Sequence, residues 1–178
     1  MGSIRKEVGF WTAVGRLRLS DIFSAETLAS VVLGSAFAVL MTLFSTEKAR
    51  LDTATLYIGV VATLVAIVFA GVALVASLLS DAYLRLLKSS QDGVLAFFRP
   101  FLIAVGLQVA AVFTALVYSR LGGQLPASLE PWAFGIVTVL FFASCLEIVV
   151  LTRSVLMHAL LRSRFAEAIE AEAGKQGR

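Results

Sequence analysis

The sequence predicts an all-α membrane protein: a four-transmembrane-helix bundle with an amphipathic N-terminal helix and a cytoplasmic C-terminal helical extension. Three observations carry this expectation. The 178 residues are 59% hydrophobic and 15% charged, with a mean hydropathy of +0.92, whereas soluble domains average about 25% charged residues. Four apolar runs reach or approach the roughly 20 residues that a helix needs to cross about 30 Å of hydrocarbon. The runs are continuously apolar, so they read as helices and not as the alternating strands of a barrel.

The elements follow in order along a single domain, 1–178. Residues 1–24 carry Ile4, Val8, Trp11 and Val14 at helical spacing, with Arg5, Lys6, Thr12 and Arg16 elsewhere on the wheel. That pattern suits a helix lying on an anionic leaflet. The first span, 27–44, follows Ser20 and Asp21, which offer a cap. It is too long for a signal-peptide core and lacks a cleavage site, so it reads as retained. Lys6 stands where a myristoylation signal needs Ser or Thr.

The second span is 54–79 and is followed by a cytoplasmic loop over 80–94. The third is 95–118 and contains Arg99; the fourth is 132–152 and contains Glu147. Pro100 marks a start or a kink in the third span. The connections 45–53 and 119–131 are short, and the latter holds Gly122, Gly123, Pro126 and Pro131, so consecutive spans are expected to pack as antiparallel hairpins. From Arg153 to Ala173 nothing breaks a helix, which predicts a helical extension and tail over 153–178.

Charge sets the expected orientation. Eleven Lys and Arg residues fall in the N-terminal segment, the 80–94 loop and the C-terminal tail, against Lys48, Arg50 and Arg120 in the two other connections. Basic residues stay on the cytoplasmic side, so both termini are expected inside and the protein in the plasma membrane. Tyr57, Tyr118 and Trp132 then fall at the outer interface and Trp11 and Tyr83 at the inner one, where amphipathic rings settle. The Ala, Val, Leu and Arg bias points to a bacterium with a GC-rich genome, hence to an inner membrane.

Polar groups inside spans are the candidate site residues. A carboxylate at membrane depth faces the bundle interior or water, and antiparallel packing of the third and fourth spans brings Arg99 near the depth of Glu147. An ion pair joining those helices is the expected arrangement; the alternatives are that Glu147 binds an ion or relays protons, or that both groups snorkel to the interface. Gln108, in the middle of the third span, needs a partner in another helix. Together with Ser30, Thr42, Thr63, Thr114 and Glu147 it defines the pathway that an oligomeric channel or small-solute transporter would need between its subunits.

Small residues mark helix contacts, because they let backbones approach closely in lipid. Ser30, Gly34, Ala38 and Thr42 form a ladder on the first span, and Gly59, Ala62, Ala66, Ala70, Ala73 and Ser77 form a stripe on the second. The expectation is that these two helices make the tightest contacts, with each other or across a subunit interface.

Other features are bland. Asp81 and Arg85 are spaced to pair on one helix face. His158 is the single histidine and Cys145 the single cysteine, so an intrachain disulfide is excluded. Leu86-Leu87-Lys88-Ser89 echoes Leu160-Leu161-Arg162-Ser163, a likeness that basic, leucine-rich flanks produce by themselves. No catalytic, phosphate-binding or metal-ligand motif is present, so no enzyme activity and no cofactor are expected. A pI of 9.4 follows from membrane topology, so no nucleic acid is expected as a partner. The expected partners are the lipid bilayer, further copies of the chain in a homo-oligomer, and a cytoplasmic protein. The function expected is that of a membrane subunit with a structural, scaffolding or signalling role.

Overall fold

A computed structural model describes residues 25–77 and 93–176, apart from some side chains within them. The amphipathic helix expected over 1–24, Asp81 and Arg85, Tyr83 and Trp11, and the side chains of Arg99 and His158 lie outside what is described. The described chain forms α1 (Ala25–Phe44), α2 (Glu47–Ser77), α3 (Gly93–Leu121), a 3-10 turn (Gly122–Gln124) and α4 (Glu130–Gln176), with no strand among the described residues.

Four helical segments are long and apolar enough to cross a membrane, Ala25–Phe44, Glu47–Leu74, Pro100–Gln124 and Glu130–Met157, the third running on through the 3-10 turn. The exterior is apolar as well: Leu43, Phe44, Leu56, Phe69, Phe113 and Ile136 are all exposed. Water penalises such a surface, and hydrocarbon does not.

Three boundaries differ from expectation. Thr46 accepts a hydrogen bond from the Ala49 amide at 3.3 Å, acting as an N-cap that starts α2 at Glu47. The residues expected as a connection over 45–53 are therefore mostly helix, Arg50 included. α3 begins at Gly93, two residues ahead of the expected span, and runs through Pro100, so Arg99 lies inside the helix as that span had it. α4 continues as one helix of 47 residues, so the fourth span and the expected C-terminal extension are a single element.

The packing order also corrects the sequence reading. α1 rests mainly on α4 and touches α2 little, while α2 packs on α3, and α3 and α2 both pack on α4. The reason lies at Gly34, where a Cβ would stand 2.8 Å from the Val139 Cα. Only a residue without a side chain admits that approach. Ser30, Gly34 and Ala38 are the buried residues of α1, so its small ladder meets α4.

The stripe on α2 behaves differently. Gly59, Ala62, Ala66, Ala70 and Ala73 are all exposed, and a Cβ on Gly59 would have nothing within 4 Å. The opposite face of α2, with Ala54, Tyr57, Val61 and Val68, is the buried one.

The core has two apolar clusters. The first, at the end where α1 joins α2 and α3 joins α4, comprises Ala38, Ala54, Tyr57, Ala115, Tyr118, Phe134 and Val137. The second, nearer the opposite end, comprises Val68, Phe101, Ala104 and Leu151. We call these the hairpin end and the terminal end.

Candidate functional site

The described ion pair lies at the hairpin end. Arg50, in the first turn of α2, donates from Nε to Glu130 Oε1 at 2.8 Å and from Nη2 to Glu130 Oε2 at 2.6 Å. Its Nη1 donates to the Ser45 carbonyl at 3.0 Å, and the Tyr118 hydroxyl donates to Glu130 Oε1. One clasp thus joins the end of α1, the start of α2, the end of α3 and the start of α4. The guanidinium meets the carboxylate in the two-pronged geometry that gives such pairs direction as well as strength. Arg50 and Glu130 are 8% and 4% exposed, so removing either partner would leave a buried charge.

Local sequence builds the clasp. Glu130 precedes Pro131 in the first turn of α4, where Pro is tolerated and a carboxylate is favoured by the helix dipole. Gly122 lets the connecting turn press against α2 and α3: a Cβ there would lie 2.8 Å from Leu51 Cδ2 and 3.1 Å from the Tyr118 ring. Tyr118 itself packs against Phe134, ring centroids 5.7 Å apart.

Sequence reasoning missed this pair because it counted Arg50 and Glu130 as connection residues. The Thr46-Glu47 cap signal was present, and it would have moved Arg50 into a helix facing the bundle. Tyr118 and Tyr57, expected at the outer interface, are buried core residues of the hairpin end, while Trp132 is 76% exposed.

Four of the polar residues expected to line a pathway bond within their own helices. The Ser30 hydroxyl donates to the Thr27 carbonyl at 2.7 Å, Thr42 to Ala38 at 2.8 Å, Thr63 to Gly59 at 3.1 Å, and Thr114 to Ala110 at 2.9 Å. Each hydroxyl is satisfied by its own helix and needs no watery lumen. Ser30 is buried against α4, whereas Thr63 is exposed on the outside of α2.

Glu147 is half-buried on α4. α1 and α4 run antiparallel, and the register that seats Gly34 on Val139 carries Glu26 to the level of Glu147, near enough to act on it electrostatically. Arg99, the expected partner, lies on α3, with its side chain outside the described residues.

Gln108 has no exposed surface, like Thr138 and Ser144, and neither its amide nitrogen nor its oxygen has a hydrogen-bond partner. The Tyr57 and Thr138 hydroxyls share that condition. Among the described residues, no group of three or more His, Cys, Asp or Glu side chains could hold a metal ion. Compared with known protein families, curated proteins and solved structures, the chain matches none.

Proposed function

We propose that this protein is a non-enzymatic, integral membrane subunit with a structural, scaffolding or signalling role, and that it self-associates through α2. The observation that carries the reading is the outward stripe of Gly59, Ala62, Ala66, Ala70 and Ala73. Bulky side chains would suffice to face lipid. A run of small ones on an exposed face is what close approach of a second helix backbone requires. The other helix with such a ladder, α1, uses it for that purpose on α4.

The test is the mass of the protein in lipid nanodiscs by native mass spectrometry. The unaltered chain is expected as an oligomer and Ala66→Phe as a monomer; a monomeric unaltered chain overturns the proposal. A conducting pathway between subunits has less support, because its candidate hydroxyls are bonded within their own helices.

The proposed setting is a plasma membrane with both termini cytoplasmic, as the distribution of Lys and Arg indicates. Lys48 and Gln124 are both exposed at the hairpin end. With native Cys145 replaced by Ser, Lys48→Cys and Gln124→Cys are expected to react with a membrane-impermeant maleimide on intact cells. Reaction only after lysis would invert the topology.

A further inference from the structure

α1 is the shortest of the four membrane-length segments, 20 residues against 28 on each of α2 and α4. Gly34 on Val139 sets the antiparallel register of α1 on α4, which brings Ala25 near the level of Ile148. α2 runs parallel to α4, with Arg50 on Glu130 and Val68 packed with Leu151. The apolar segments of α2 and α4 therefore end side by side, at Leu74 and Met157. Both continue roughly two and a half turns beyond the start of α1.

Nearer the hairpin end α1 covers the seam between α2 and α4, where Phe37, Ala38 and Met41 pack with Tyr57 and Phe141. Past the start of α1 that seam is an open groove of about 210 Å³. Its floor is Val68, Phe101 and Leu151, all buried, and its rims are Ile67 and Leu156, 50% and 59% exposed. Leu156 stands roughly four turns past Phe142, on the flank of α4 where Phe142 meets Phe37 of α1, ring centroids 5.9 Å apart. The groove thus opens on the side that α1 occupies lower down. Thr152 is the one polar side chain in its lining, and its hydroxyl donates to the Ile148 carbonyl at 2.8 Å within the same helix. Such a lining suits an apolar occupant and not water.

The chain that leads into α1 enters at this end. Residues 17–24 hold Leu17, Leu19, Ile22 and Phe23, interleaved with Arg18 and Asp21 and preceded by Arg16. Those charges make it costly to carry the span of α1 further into hydrocarbon, so the apolar side chains among them gain from a protein surface. Reach is no obstacle. From Ile148 to Leu156 the groove covers about 12 Å of α4, and eight residues span about 12 Å as helix or about 26 Å extended. Ile22 and Phe23 stand next to α1 in the chain, and so short a tether holds them near the groove at an effective concentration of order mM.

We propose that the segment leading into α1 folds back onto the bundle and seats Ile22 and Phe23 in the groove between α2 and α4. It supplies at the terminal end the cover that α1 supplies nearer the hairpin end.

The experiment is disulfide trapping in the full chain in bilayers, with Cys145→Ser. Phe23→Cys is paired in turn with Ile67→Cys and Leu156→Cys on the rims, and with Ala73→Cys on the outward face of α2 at a similar level. A disulfide forms only where Cα atoms come within about 7 Å. A link within one chain to at least one rim position, and none to Ala73→Cys, is expected. Gly71→Leu gives a second reading. A Cβ there would stand 3.6 Å from the Phe101 ring, an ordinary contact, so the added side chain fills the groove without straining the backbone and should cut the rim link severalfold. Absence of any rim link, as when a lipid tail fills the groove or the segment lies along the leaflet, overturns the proposal. So does a link that joins two chains, which would assign the groove to a second copy. Equal trapping at Ala73→Cys, or a rim link unmoved by Gly71→Leu, overturns it as well.

Discussion

α1 and α2 carry the same kind of small-residue ladder and use it in opposite ways. On α1, Ser30, Gly34 and Ala38 are buried against α4. On α2, Gly59, Ala62, Ala66, Ala70 and Ala73 face outwards, while larger residues such as Tyr57, Val61 and Val68 fill the core. A small side chain licenses close approach but does not say to what. The ridge that meets it decides, and for α1 that ridge is Val139.

The largest effect should come from the clasp, which holds the ends of both helices. Glu130→Gln leaves the Arg50 guanidinium buried without its carboxylate. The expected loss is about 3–5 kcal/mol, measured by denaturation in detergent; a loss below about 1 kcal/mol would mean that the pair is solvated like a surface ion pair. Such a result would leave the α1–α4 ladder as the main restraint on α1.

Gly34→Leu comes next and addresses the α1 ladder directly. A Cβ there would collide with the Val139 backbone at 2.8 Å, so α1 has to shift off α4. Overpacking of this kind costs about 1–3 kcal/mol or more. An unchanged Tm would show that α1 does not depend on this contact.

The smallest effect on the single chain is expected from Gly59→Leu. Nothing stands within 4 Å of the position, so with subunits separated in detergent the stability should change by no more than about 0.5 kcal/mol. A substantial loss in the separated subunit would show that the α2 stripe serves the fold of one chain and not association.

Legibility in the sequence followed the physics of each signal. The spans were readable because uncharged length is set by the bilayer alone: 27–44 corresponds to α1 at Ala25–Phe44. Gln108 was readable as a polar group needing a partner, since its position fixes its depth. Facing was not readable. Tyr57 and Tyr118 lie at depths that suit an aromatic belt, yet their rings turn inwards, because ring direction depends on which neighbour packs there. Arg50 and Glu130, 80 residues apart, become partners only once Thr46 caps α2 and α2 runs parallel to α4. Neither condition is written in local composition.

α4 is one uninterrupted helix from Glu130 to Gln176, 47 residues, or about 70 Å at 1.5 Å per residue. Its apolar segment ends at Met157, and the helix continues past it to Gln176. Tilting the whole helix by about 5° around the Glu130 end would swing Gln176 through roughly 6 Å, given that length. A displacement too small to disturb the packing at the pivot is thereby amplified at the far tip, which makes the tip the place on this chain where small rearrangements of the bundle become large.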